Sequence, residues 1–232
     1  WGGEGAGKTT LVAELRKYFE RYWATGALPS VVFTREPGGT PEAEEIRRMI
    51  LQPSFAREDG YQRCTETEIF LFMAARAEHC HRLIKPAMER GDWVFSDRYM
   101  DSTLAYQTAA TKTPMDEWRM KKFITDLHQP DFGILTPSMT VVLTAPDEMV
   151  NERLAQRYGG GVTADFIESR AAEYHAKVRR NYIDIVAESR GNNAVPSRYV
   201  LLENKGSIAD LMDHAIRHIN QFFQVNFPAP AL

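Results

Sequence analysis

With 232 residues, of which 44% are hydrophobic and 25% charged, the chain can bury a sizeable core, which excludes a disordered or low-complexity protein and fits one large domain. Its net charge of −3 offers no global positive field for nucleic acid or an anionic membrane, so any anionic ligand must be held by local Arg and Lys clusters. Two cysteines, Cys64 and Cys80, lack metal-ligand spacing and fit a cytoplasmic protein, and no apolar run approaches the roughly 18 residues of a membrane span.

The chain opens on "GGEGAGKTT", residues 2–10, which fills every fixed position of G-x-x-x-x-G-K-[ST] with Gly2, Gly7, Lys8 and Thr9. Glycines let successive backbone N–H groups turn around an anion, and the following helix adds its positive N-terminus. Lys8 is placed to reach the β- and γ-phosphates of a nucleotide, and the Thr9 hydroxyl to meet Mg²⁺. A Gly-rich turn before a helix is the plainer reading. Such loops follow a buried strand, and here only Trp1 precedes the motif; the expectation is that the true N-terminus lies upstream.

Strands are expected at 30–34 ("SVVFT"), 92–97 ("DWVFSD"), 139–144 ("MTVVLT") and 198–204 ("RYVLLEN"). Helices are expected at 9–23, 41–51, 66–90, 115–127, 146–157, 164–189 and 207–223. Short apolar strands alternating with helices predict an α/β fold, a doubly wound parallel sheet flanked by helices. Ligands then bind beyond the carboxyl ends of the strands. One domain over 1–224, a lid around 153–170 and an irregular tail at 225–232 complete the expected organisation.

Four stretches describe a second ligand. "TREPGGT", residues 34–40, leaves the second expected strand (the first in the sequence) with Arg35 ahead of a rigid turn at Pro37. "LFMAAR", 71–76, sets Phe72 and Arg76 on one helical face, where a planar base could stack and meet a guanidinium. "SDRYMDSTLAYQ", 96–107, brings Asp97 and Arg98 to a strand end, followed by Ser102, Thr103, Tyr106 and Gln107; an acid there is where magnesium is contacted in phosphoryl-transfer enzymes. "ERLAQRYGGGVTADFIESR", 152–170, flanks three glycines with arginines, as a closing lid does. Taken singly, these stretches also fit core packing, a surface ion pair and a flexible loop.

Together, in this order and spacing, they resemble the thymidylate kinase family from Gly2 to about Phe223; "IKPA" at 84–87 and "KVRRNY" at 177–182 add to the likeness. The resemblance implies the P-loop NTPase, nucleoside monophosphate kinase architecture: a homodimer that moves the γ-phosphoryl of ATP onto dTMP with Mg²⁺, giving dTDP. It implies that Gly2, Gly3, Gly5, Ala6, Gly7, Lys8, Thr9 and Thr10 hold ATP, with Thr9 and Asp97 at the metal. Glu4 corresponds to the carboxylate near the acceptor's 3′-hydroxyl, and Arg35 and Arg98 to its phosphate clamp. Phe72 would stack on the base and Arg76 read its carbonyl edge, with Ser102, Thr103 and Gln107 alongside and Tyr106 selecting deoxyribose. The variable loop positions hold no basic residue, so the family's extra catalytic arginine is expected in the lid, at Arg153 or Arg157.

Two departures stand out. The lid signature Asp-Arg-x-Glu reads Asp165, Phe166, Ile167, Glu168, and the segment 51–68 is longer than expected. Two other readings stay open: a kinase for dUMP or another deoxypyrimidine monophosphate, and a nucleotide-binding module without catalysis.

Overall fold

The computed structural model describes residues 2–24, 26, 30–52, 63–160, 164–190 and 197–230. Their order is α1 (Lys8–Trp23), β1 (Val31–Arg35), α2 (Pro41–Leu51), α3 (Thr65–His79), α4 (Lys85–Glu89), β2 (Trp93–Asp97), α5 (Met100–Ala109) and α6 (Pro114–Leu127). Then follow β3 (Thr140–Thr144), α7 (Asp147–Gly159), α8 (Ala172–Arg190), β4 (Tyr199–Glu203) and α9 (Ile208–Phe223). Trp1, most of the expected insertion (53–62), residues 161–163 of the lid and the last two residues lie outside the described residues.

The helices start and stop where local chemistry dictates. Gly7, at φ 98°, occupies a left-handed conformation that favours glycine and turns the loop into α1. Leu11, Leu15, Tyr18 and Phe19 then line one buried face at helical spacing. Thr40, Thr113 and Ser207 cap α2, α6 and α9 by accepting backbone N–H bonds from Ala43, Asp116 and Asp210. Pro41 and Pro114 occupy the first turns, where their missing N–H costs nothing.

Three expectations are corrected. The helix expected over 66–90 carries a π-helical segment, Cys80–Ile84, between α3 and α4. The helix expected from Ala164 begins at Ala172, because Asp165 folds the chain into a turn: its Oδ1 accepts the N–H groups of Ile167 and Glu168, and Glu168 accepts that of Asp165. Residues 100–109 form a helix, α5, that the apolar pattern did not announce.

The strands form two parallel pairs rather than one continuous sheet. Val31 to Arg35 pairs with Trp93 to Asp97, and Thr140 to Thr144 with Tyr199 to Glu203. Helices cover both faces. Phe33, Phe95, Leu143 and Leu202 pack against α1 and α9, while Val142 and Leu201 pack against α5 and α8. Between the pairs lies a cavity of about 470 Å³ lined by β2, by Thr140, Val141 and Leu143, and by Leu15, Ala215 and Ile219. The carboxyl ends of β1 and β2, with the loop before α1, point to the functional site.

Candidate active site

The loop at residues 2–7 is shaped by close approach as much as by turning. A side chain at Gly2 would strike the Leu143 carbonyl 2.0 Å away, so only glycine lets the loop lie against β3. Gly3 and Ala6 are buried, whereas Gly5, Gly7, Lys8, Thr9 and Thr10 line an open cleft of about 420 Å³. Asn204, the first residue beyond β4, fixes the loop from outside by donating 2.9 Å to the Ala6 carbonyl. Lys8 Nζ donates 2.7 Å to the Gly3 carbonyl. Burial, with a smaller push from Arg98, lowers the Lys8 pKa to about 7, so the site resists this charge until an anion arrives.

Helix α7 lies over the loop. Arg153 donates 3.1 Å to the Gly5 carbonyl, while Arg157 bridges Glu4 (3.2 Å) and Glu168 (3.0 Å). Both arginines border the cleft, as do Asp97 and Thr9. Phe166 is not among the residues lining this cleft. It is 4% exposed in the core cluster with Tyr106 and Tyr182, and the guanidiniums of Arg63 and Arg170 lie 5.2 and 5.3 Å from its ring centre.

A second cavity of about 140 Å³ is lined by Phe72, Arg76, Ser102, Thr103, Tyr106 and Gln107, all on α3 and α5. Arg76 is 2% exposed and locked: Nε meets Glu36 at 2.7 Å, and Nη1 meets Thr103 at 3.2 Å and His128 at 2.7 Å. Glu36 also bonds His79 at 3.0 Å. A buried guanidinium is tolerable only with such pairing. His128, held neutral by burial and by Arg76, has its pKa lowered to about 4. Its Nδ1 lies 2.6 Å from the Ile124 carbonyl, so Nδ1 donates and Nε2 accepts from Arg76.

The two cavities meet at Glu4, Arg47, Arg98 and Glu168, which border both. Arg98 holds a left-handed backbone (φ 70°), uncommon outside glycine, with its guanidinium 4.9 Å from the Tyr106 ring centre. Arg35 does not join them. It is exposed and forked onto Glu44 at 3.0 and 3.1 Å, with Glu44 also accepting the Gly39 N–H. Arg47, one turn further along α2, takes the position at the junction and donates to the Pro37 carbonyl at 2.8 Å. Burial and the charges of Arg35 and Arg98 pull the Arg47 pKa below its usual value. Arg47, His128 and Asn204 carried no motif; only the place of Asn204 at a strand's carboxyl end could have flagged it.

The thymidylate kinase family model matches residues 2–197. The chain belongs to the thymidylate kinase family. Similar curated relatives include the thymidylate kinases of Symbiobacterium thermophilum, 38% identical over 93% of this chain and 91% of the relative, and Rhodopseudomonas palustris, 36% identical over 93% and 86%. That of Chromobacterium violaceum is 32% identical over 96% of this chain and 92% of its own. Family membership fits a phosphate-type loop with a second cavity adjoining it.

Proposed function

We propose that the chain transfers the γ-phosphoryl of ATP to dTMP, giving ADP and dTDP. The observation that carries this reading is the junction: the loop cleft and the smaller cavity share Arg47 and Arg98, so a phosphate from each side meets fixed positive charge. An oxygen of the acceptor phosphate, already anionic at neutral pH, attacks the γ-phosphorus as the bond to the ADP oxygen breaks. No general base is needed, and catalysis is positioning with charge neutralisation. Lys8, Arg153 and Arg157 approach from the donor side; Arg98 and Arg47 align the acceptor; Phe72 and Tyr106 enclose the base and sugar.

The donor set suits magnesium. Thr9 and Asp97 border the same cleft and offer one hydroxyl and one carboxylate. Mg²⁺ prefers such sparse protein ligation, retaining waters and phosphate oxygens. Thr9 and Asp97 would hold it, and it would offset charge on the transferred group.

The fold we infer for this activity is a doubly wound parallel sheet. Two parallel strand pairs with helices on both faces support it. We also infer a homodimer, supported by the exposed Phe70, Met115 and Trp118 on α3 and α6. Two free cysteines support a cytoplasmic setting. No helix among the described residues is long and apolar enough to cross a membrane. The test is product identification: ATP and dTMP should yield ADP and dTDP in equal amounts, and ADP without dTDP would defeat the reading.

A further inference from the structure

Gln107, a lining residue of the acceptor cavity, is 1% exposed, and its Oε1 is a buried polar atom with no hydrogen-bond partner among the described residues. Its Nε2 donates 3.2 Å to Glu68 Oε2. The other oxygen of Glu68 accepts from Arg170, which sits between the lid turn and α8. Glu68 is 1% exposed and Arg170 borders α8, yet neither lines the cavity. They stand behind Gln107.

We propose that Glu68, held by Arg170, is a positioning residue that fixes which side of the Gln107 amide faces the base. A carboxylate only accepts hydrogen bonds, so the amide must turn its N–H group toward Glu68 and its carbonyl toward the cavity. Arg170 supplies the counter-charge that a buried carboxylate requires. Arg76, whose guanidinium can only donate, lines the same cavity. The cavity thus offers an acceptor and a donor, which complement an N–H and a carbonyl. Thymine and uracil carry that pair. Cytosine presents an unprotonated ring nitrogen and an amino group, so both contacts are repulsive. A site built to hydrogen-bond one pattern rejects its mismatch strongly, because buried groups are left unpaired. This inference rests on the dTMP reading and explains how this chain enforces its base class. It also ties base selection to the lid, because Arg170 follows directly on the turn that Asp165 and Glu168 form.

The test compares kcat/KM for dTMP and dCMP, with saturating ATP, in the wild type, Glu68→Gln, Arg170→Met and Arg170→Lys. Glutamine at 68 donates as well as accepts, which frees the Gln107 amide to turn. The expected result is at least a tenfold fall in the dTMP:dCMP ratio for Glu68→Gln and Arg170→Met, an unchanged KM for ATP, and recovery of most of the ratio in Arg170→Lys. A merely structural role would slow both acceptors together and keep the ratio. A ratio within twofold of wild type in folded Arg170→Met overturns the proposal even if Glu68→Gln does not fold. Wild-type protein that ignores dTMP overturns the function itself, and this inference with it.

Discussion

Tyr158 donates a 2.5 Å hydrogen bond to Glu4, and Arg157 reaches the same carboxylate oxygen at 3.2 Å. The end of α7 is thereby fastened to a phosphate loop 154 residues away in sequence. Because Glu4 borders both cavities, the clasp also orients a carboxylate at their junction.

Tyr158→Phe removes that donor while keeping the ring. A hydrogen bond to a charged group contributes roughly 1.5–3 kcal/mol, so kcat/KM should fall by about tenfold or more if the clasp is retained in the transition state. Steady-state kinetics check this, and an unchanged kcat/KM would show that the clasp plays no part in turnover.

Lys8 links the loop's electrostatics to pH. Burial lowers its pKa to about 7 from 10.5, so between those values the unfolded chain binds more protons than the folded one. Stability from this group therefore rises with pH across that window, and the penalty is complete below it. Bound polyphosphate favours the charged amine, so ATP binding at pH 8 should take up close to one proton. Calorimetry in buffers of different ionisation enthalpy measures that uptake, and Lys8→Ala should abolish it. The same variant should lose turnover by orders of magnitude while binding dTMP nearly normally.

His128 carries the same sign of dependence into a lower pH window. Its folded pKa of about 4 lies below its ordinary 6.5, so the unfolded chain binds the extra proton between those values and stability falls as pH falls through them. The full effect is about 3 kcal/mol, judged from the size of the shift. Denaturant melts from pH 7 to pH 4 should show this slope, and His128→Gln, which can still accept from Arg76, should flatten it.

Much of this site was legible as sequence because phosphate chemistry imposes local spacing. The loop at 2–10, and Asp97 and Arg98 at the end of β2, needed no long-range information. Helix α5 escaped because its buried face carries Asp101, Ser102, Thr103, Gln107 and Thr108, which spoil an apolar period. Arg35 and Arg47 could not be ranked from sequence, since their roles turn on Glu44, nine residues from Arg35, which holds one at the surface. His128 and Glu68 act through partners 52 and 39 residues away, a distance over which no pattern reports.

Phe166 stands where the resemblance leads one to expect an arginine. Its ring is packed between the guanidiniums of Arg63 and Arg170, so Phe166→Arg would bury a third positive charge among them. That should cost about 3 kcal/mol or more and lower Tm by roughly 6–12 °C. Turnover should not exceed that of the wild type, because Arg153 and Arg157 already border the cleft. Scanning calorimetry with the kinase assay decides both points, and a stable, faster variant would contradict this account of the lid.

The central claim is a dedicated acceptor site joined to a phosphate loop. It is tested most directly by ADP release from ATP and Mg²⁺ with dTMP, dUMP, dCMP and dGMP side by side, on the full-length protein. The account predicts fast turnover with dTMP, weaker turnover with dUMP and little with the others. Tight ATP binding without turnover of any acceptor would contradict it and leave a nucleotide-binding module in its place.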